Sequence, residues 1–159
     1  MNTETTRQTS TTSSEETEKL GERIGKVLRG GELIELISDL GGGKTTLVRG
    51  IARGFGSTDK VASPTFTVSK EYQSGKKRIV HYDFYRLNDP GILQFELAES
   101  LEDPAAVSII EWADIVHDVL PQDVLRITIA SGAHESERTI TLNAGTKHKH
   151  VVEILKEQG

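Results

Sequence analysis

The chain has 159 residues, with 19 basic and 24 acidic side chains and a formal net charge of −5. That balance argues against a domain that grips nucleic acid by itself, because phosphate backbones call for a basic surface. It has no cysteine, which excludes disulfides and thiolate metal sites. The length suits one domain with a real core. No apolar run approaches the roughly 18–20 residues of a membrane span, and the Ser/Thr-rich stretch Met1–Ser14 lacks a signal-peptide core. A cytoplasmic home with no membrane partner is the simplest expectation.

Residues 1–12 offer almost nothing to bury and read as a disordered tail ahead of a single domain over 13–159. Ser13 to Glu16 fits a capping box opening a helix, in which Leu20, Ile24, Val27 and Leu28 recur at helical spacing. Gly21 and Gly25 lie one turn apart, which weakens a helix but permits close packing. Lys19, Arg23 and Lys26 form a basic stripe, either a solvated helix face or a docking face for an acidic partner.

After Gly30-Gly31 comes a short apolar run, Glu32–Ile37, and then Ser38-Asp39-Leu40-Gly41-Gly42-Gly43-Lys44-Thr45-Thr46. Apart from Ser38 in place of a leading Gly, this matches a phosphate-binding loop, which joins a strand to a helix. Gly41, Gly42 and Gly43 let backbone amides approach phosphate oxygens. Lys44 supplies a charge for the β- and γ-phosphates, and the Thr45 hydroxyl suits Mg²⁺, which takes hard oxygen ligands. The helix starting near Lys44 adds its positive end and stops at Gly54-Phe55-Gly56. Glu35 is awkward, because a strand would put it on the same face as Leu33 and Ile37.

In Val61–Val68, Pro64 favours a loop, and Thr65 fits either a plain turn or a hydroxyl reaching the γ-phosphate or Mg²⁺. A polar hairpin around Ser74-Gly75 leads to a strand, Arg78–Tyr82, which delivers Asp83 at its end. Ile92–Leu101 reads as a helix with an acidic outer face. Val107–Trp112 is a short apolar run ending in Glu111, the position at which phosphate-loop sheets place a Mg²⁺-holding acid. Trp112, the only Trp, fits ordinary packing or a place beside the nucleotide or a partner. Asp114–Leu120 gives a helical turn or two, and Val124–Ala130 and Arg138–Leu142 alternate as a hairpin. A short helix over about 148–156 closes the chain, with His148 and His150 expected at the surface rather than in a metal site.

Four segments, Ser38–Thr46, Ser63-Pro64-Thr65-Phe66, His81-Tyr82-Asp83-Phe84-Tyr85-Arg86-Leu87 and Glu111-Trp112, occur in one order. Through them the chain from about Ser13 to about Leu142 resembles the TsaE family, bacterial ATPases of tRNA threonylcarbamoyladenosine biosynthesis. The resemblance implies an α/β, three-layer phosphate-loop NTPase fold with a mostly parallel central sheet and an antiparallel C-terminal hairpin. It implies a weak Mg²⁺-dependent ATPase acting with TsaB and TsaD, whose complex modifies adenosine 37 of tRNA. ATP hydrolysis would reset that complex, and the contact with tRNA would be indirect. Carried over by motif, Gly41 to Thr46 bind ATP phosphates, Thr45 and Glu111 hold Mg²⁺, and Asp83 orients the attacking water. Thr65 and Trp112 sit near the nucleotide, and Ser14 and the loop at His134 lie by the adenine. Ser38 stands where the family usually has Gly, and the family's short apolar first strand has only polar residues 1–12 as its counterpart here. Two rival functions use the same loop: a small-molecule kinase, and a nucleotide-dependent switch that does not hydrolyse.

Overall fold

The fold is described from a computed structural model over residues 4–39, 43–64, 67–85 and 87–156. Seven strands follow one another along the chain: β1 (Thr5–Thr11), β2 (Leu33–Ser38), β3 (Ser69–Ser74), β4 (Lys77–Asp83), β5 (Ala106–Glu111), β6 (Leu125–Ser131) and β7 (Arg138–Ala144). They form one sheet in the order β1-β7-β6-β2-β5-β4-β3. The inner four, β6, β2, β5 and β4, run parallel, whereas both flanks are antiparallel hairpins or strand additions. The parallel centre has apolar residues on both faces, as strands covered by helices must.

The helices α1 (Ser14–Val27) and α2 (Lys44–Gly54) cover one face, and α3 (Leu93–Glu102) with the 3-10 helix Ala113–Val119 covers the other. Ile34, Leu36, Ile109 and Ile127 pack under Ile24, Leu47 and Ile51 on the first side. Leu33, Val80, Tyr82 and Ile110 pack with Leu97 and Val116 on the second. Each such buried side chain contributes about 1.5–3 kcal/mol, and together they make the three layers.

Capping starts α1 where the sequence predicts. The Ser13 hydroxyl accepts the Glu16 amide at 3.1 Å, but Glu16 reaches back to the Thr12 amide and hydroxyl, at 2.7 and 2.8 Å. The glycines of α1 have counterparts in α2. A Cβ on Gly21 would lie 2.4 Å from the Leu47 carbonyl oxygen, and one on Gly50 2.0 Å from that of Glu18. Gly25 and Gly54 are equally closed, so these two helices touch backbone to backbone and set α2 close against α1.

The N-terminal segment departs from the expected disorder. Thr5–Thr11 pairs with Arg138–Ala144 along its whole length. Its alternation is between half-buried and exposed polar residues, so hydropathy does not reveal it, although Thr favours the pleated conformation. Arg7 fastens this edge by donating to the Leu155 carbonyl at 2.8 Å.

The C-terminal helix is shorter than expected: a 3-10 turn at Thr146–His148 leads into α4 (Lys149–Val152). His148 is fully buried rather than at the surface. Its Nε2 accepts the Leu33 amide at 3.0 Å, so the ring proton sits on Nδ1 and goes to Asp123, 3.1 Å away. Burial of the ring lowers its pKa and outweighs the attraction of Asp123. His150 reaches the buried Glu32 at 2.9 Å, and Glu32 also takes the Arg29 and Gly30 amides at 2.8 Å each. Glu35 finds its partner in Arg126, its register neighbour on β6, at 3.1 Å.

Candidate functional site

The C-terminal ends of the parallel strands β2, β4 and β5 meet the start of α2, the usual ligand crevice of an open α/β sheet. Gly43 is the N-cap of α2, with φ +95°, a left-handed conformation that suits glycine. It offers no capping side chain, so the first-turn amides remain open to an anion. Ser38, the departure from the loop pattern, has no left-handed φ and lies at the end of β2 with its hydroxyl on the Asp39 carbonyl. No backbone strain follows from its side chain.

Lys44 extends from the first turn of α2 to Glu111, with Nζ 3.3 Å from Oε1, and passes 5.2 Å from the centre of the Trp112 ring. Glu111 is 4 % exposed at the end of β5. Its other oxygen lies 2.6 Å from Nε2 of the fully buried His81. Burial alone would raise the Glu111 pKa, but the hydrogen bond and charge of His81, joined by Lys44, hold it below the ordinary carboxylate value. Asp83 is buried at the end of β4, directly in register with Glu111, and its Oδ1 accepts the Tyr85 amide at 3.0 Å.

Among the described residues, two that are not glycine carry left-handed backbone, Val68 with φ +68° and Trp112 with φ +58°. For a β-branched Val this is strained, and such strain clusters at functional sites. The Val68 carbonyl accepts the Asp83 amide at 2.8 Å, tying Val68 to the end of β4. Trp112 is 38 % exposed and packs on Tyr85, ring centres 4.9 Å apart.

Thr45 and Thr46 lie half-buried in the first turn of α2. Thr46 lines a cleft of about 90 Å³ with Ser14, Thr17 and Gly43 on one side and Ser136 and Arg138 on the other. Ser14 thus shares a cleft with the C-terminal hairpin, which contributes Ser136 and Arg138. His134 is exposed and does not line that cleft. A second pocket, of about 140 Å³, opens beside Lys44 between Ile37–Ser38 and Trp112–Asp114. The expectations for Gly41, Gly42 and Thr65 lie outside the described residues.

Among the described residues, no three His, Asp or Glu side chains are grouped to hold a metal by themselves. The Thr45 hydroxyl and the Glu111 carboxylate are hard oxygen donors, and Mg²⁺ is commonly held by one or two such groups together with substrate phosphates. The donor set fits that cation. The structure also assembles a residue that sequence reasoning left without a role, His81. Its signal is the two-residue spacing from Asp83, which puts both on one face of β4. Among the described residues no helix is long and apolar enough to cross a membrane.

Comparison with known proteins identifies the family. Residues 11–140 match the family model of threonylcarbamoyl adenosine biosynthesis protein TsaE. The tRNA threonylcarbamoyladenosine biosynthesis protein TsaE of Bacillus subtilis is 37% identical over 146 residues, 91% of this chain and 90% of that protein. That of Streptomyces coelicolor is 40% identical over 116 residues, 70% and 76% of the two chains. The crystal structure of Bacillus subtilis YdiB superimposes with a TM-score of 0.74 at 31% identity, covering 97% of this chain and 95% of that one. The chain belongs to the TsaE family and with it to tRNA threonylcarbamoyladenosine biosynthesis.

Proposed function

We propose that the protein is a Mg²⁺-dependent ATPase of the cytoplasm that resets the TsaB–TsaD complex during threonylcarbamoylation of tRNA. The observation that carries this reading is Glu111, buried between Lys44 and His81 at the mouth of the phosphate-loop helix. A carboxylate kept ionised there is poised for a cation that a phosphate can share, not for packing. Bound Mg²⁺ would supply charge neutralisation for the β- and γ-phosphoryl oxygens.

The chain's own residues divide the remaining work. The Gly43 end of α2 presents open amides to the phosphates, and Lys44 leaves Glu111 to follow the charge that develops on the γ-phosphoryl oxygens. Thr45 and Glu111 hold the cation. Asp83, one strand from Glu111, orients the attacking water. Trp112 screens the Lys44 side of the site from solvent, and the cleft at Ser14 and Thr46 receives the base.

Partner dependence has its own support. Ile37 is the last residue but one of β2, Tyr85 and Trp112 follow the ends of β4 and β5, and Ile92 and Phe95 stand at the start of α3; all five are exposed. Large apolar side chains gathered around a site mouth mark a surface that another protein covers. The tRNA would be reached only through that complex. A small-molecule kinase ranks lower, because the family to which the chain belongs acts in tRNA threonylcarbamoyladenosine biosynthesis.

Lys44→Ala should abolish nucleotide binding while leaving the melting temperature close to the parent's. Multiple-turnover tRNA modification with TsaB and TsaD should then stall with this variant and proceed with the parent. Equal modification without the protein would overturn the assignment, and turnover stimulated by a metabolite instead of by the partners would favour the kinase.

A further inference from the structure

Glu111 is held by two side chains, and the phosphate-loop mechanism uses only Lys44. The other, His81, is fully buried on β4, opposite Ile109, and its ring reaches diagonally to the Glu111 carboxylate two residues along β5. Behind it stands Tyr72 of β3, also buried. The Tyr72 hydroxyl lies 3.4 Å from His81 Nδ1 and donates to the Ala62 carbonyl at 3.0 Å, and the two rings tilt against each other at 6.1 Å. A continuous line thus runs from Glu111 through His81 and Tyr72 to Ala62, across three neighbouring strands. It ends in the segment that leads through Pro64 to the strained Val68, itself bonded to the Asp83 amide.

We propose that His81 is a positioning residue for Glu111, braced in turn by Tyr72. A glutamate with a free terminal torsion could turn either oxygen toward the loop. The 2.6 Å bond to His81 fixes Oε2, so Oε1 alone faces Lys44 and the open end of α2. When Lys44 moves to a phosphate, Oε1 is left aimed at the cation position without rearrangement. Outer groups that orient a ligating carboxylate act in this way on both affinity and rate. Tyr72 does for the ring what the ring does for the carboxylate, and its bond to Ala62 makes the 61–64 stretch part of the same brace.

The kinetic arm of the test rests on the ATPase reading; the binding arm does not. The full-length chain is compared as parent, His81→Leu, His81→Gln and Tyr72→Phe. Trp112, the only Trp, reports nucleotide binding by its fluorescence with and without Mg²⁺. His81→Leu should weaken the Mg²⁺-dependent part of nucleotide affinity by about 10–100-fold and lower kcat similarly, with affinity in chelator unchanged. His81→Gln keeps an N–H donor and should recover most of both, and Tyr72→Phe should lose a smaller factor in the same direction. Parental Mg²⁺ dependence in His81→Leu, or Gln no better than Leu at equal melting temperature, would overturn the proposal. Should His81→Leu fail to fold, parental Mg²⁺ dependence in Tyr72→Phe would overturn it instead. A parent that binds Mg²⁺–ATP without hydrolysing it would sink the ATPase reading, and the Mg²⁺ arm would still decide the role of His81.

Discussion

Two fully buried histidines lie against carboxylates at opposite ends of the same sheet, and they serve opposite ends. At the base, His148 takes the Leu33 amide and gives its proton to Asp123, which also accepts the Lys147 amide at 3.0 Å. Glu32 nearby is filled by two amides and His150. Every partner in that cluster belongs to the chain, and the product is a docked C-terminal segment. At the mouth, His81 fixes one oxygen of Glu111, but the other rests on Lys44, a side chain at the open start of α2. Left-handed backbone at Val68 and Trp112 and exposed aromatics surround it. The same chemical pair is closed where it holds the fold together and left half open where a ligand must enter.

The largest expected effect breaks the open end. Glu111→Gln should lower ATP turnover by about 10²–10³-fold, the scale of losing one preorganised electrostatic group. Its melting temperature should stay near the parent's, because the Gln amide oxygen can still accept from His81, and Lys44 stands at the open start of α2. The base should behave in reverse. His148→Leu leaves the buried Leu33 amide without its acceptor, an omission worth about 1–3 kcal/mol, and should lower stability by that amount with kcat unchanged. Urea unfolding and steady-state phosphate release on both variants check the pair. A crossed result, with His148 controlling rate or Glu111 controlling stability, would erase the distinction.

This contrast also explains what the sequence made legible. The helix start at Lys44, the capping box at Ser13 and the glycine pair Gly21 and Gly25 are local signals, and each sits in the fold where its spacing predicts. Glu111 could be read because a short apolar run ends on it. For His81 the spacing from Asp83 shows only a shared face, and its role depends on β4 lying beside β5, which brings it to Glu111, 30 residues on. His148 sits in a Lys-His-Lys-His run that reads as surface, and only contact with Leu33, 115 residues away, makes it core. β1 was hidden for another reason: its two faces are both polar, so burial alternates without hydropathy alternating. For the hairpin loop, the register of β6 and β7 brings Ser136 and Arg138 rather than His134 to the cleft beside Ser14.

A smaller effect sharpens the closed end. Burial holds the His148 pKa below its ordinary 6.5, so as pH falls the unfolded chain takes up that proton first. The contribution is therefore complete above about pH 6.5 and is lost as pH falls through the folded value. Asp123 follows only below its ordinary 3.8. Burial alone would raise its pKa, but the Lys147 amide and His148 outweigh burial and hold it lower. Thermal melts from pH 8 to 5 should show declining stability in the parent. His148→Gln can still accept the Leu33 amide and donate to Asp123, so it should flatten that decline. An unchanged slope in the Gln variant would assign the pH dependence elsewhere.

The smallest effect concerns a pair between the two ends. Glu35 and Arg126 meet at 3.1 Å on neighbouring strands, with the Arg126 side chain 41 % exposed. Solvent screens such a pair, and Glu35→Gln should cost no more than about 0.5 kcal/mol, less at high salt. Yet Glu35 also lines the pocket beside Lys44 and Trp112. If the open end extends only along the ends of β4 and β5, the variant should keep the parent's kcat and nucleotide affinity. A loss of turnover from Glu35→Gln at unchanged stability would instead carry the working surface one strand further, from Lys44 across β2 to β6, and would give that pocket a role in the reaction.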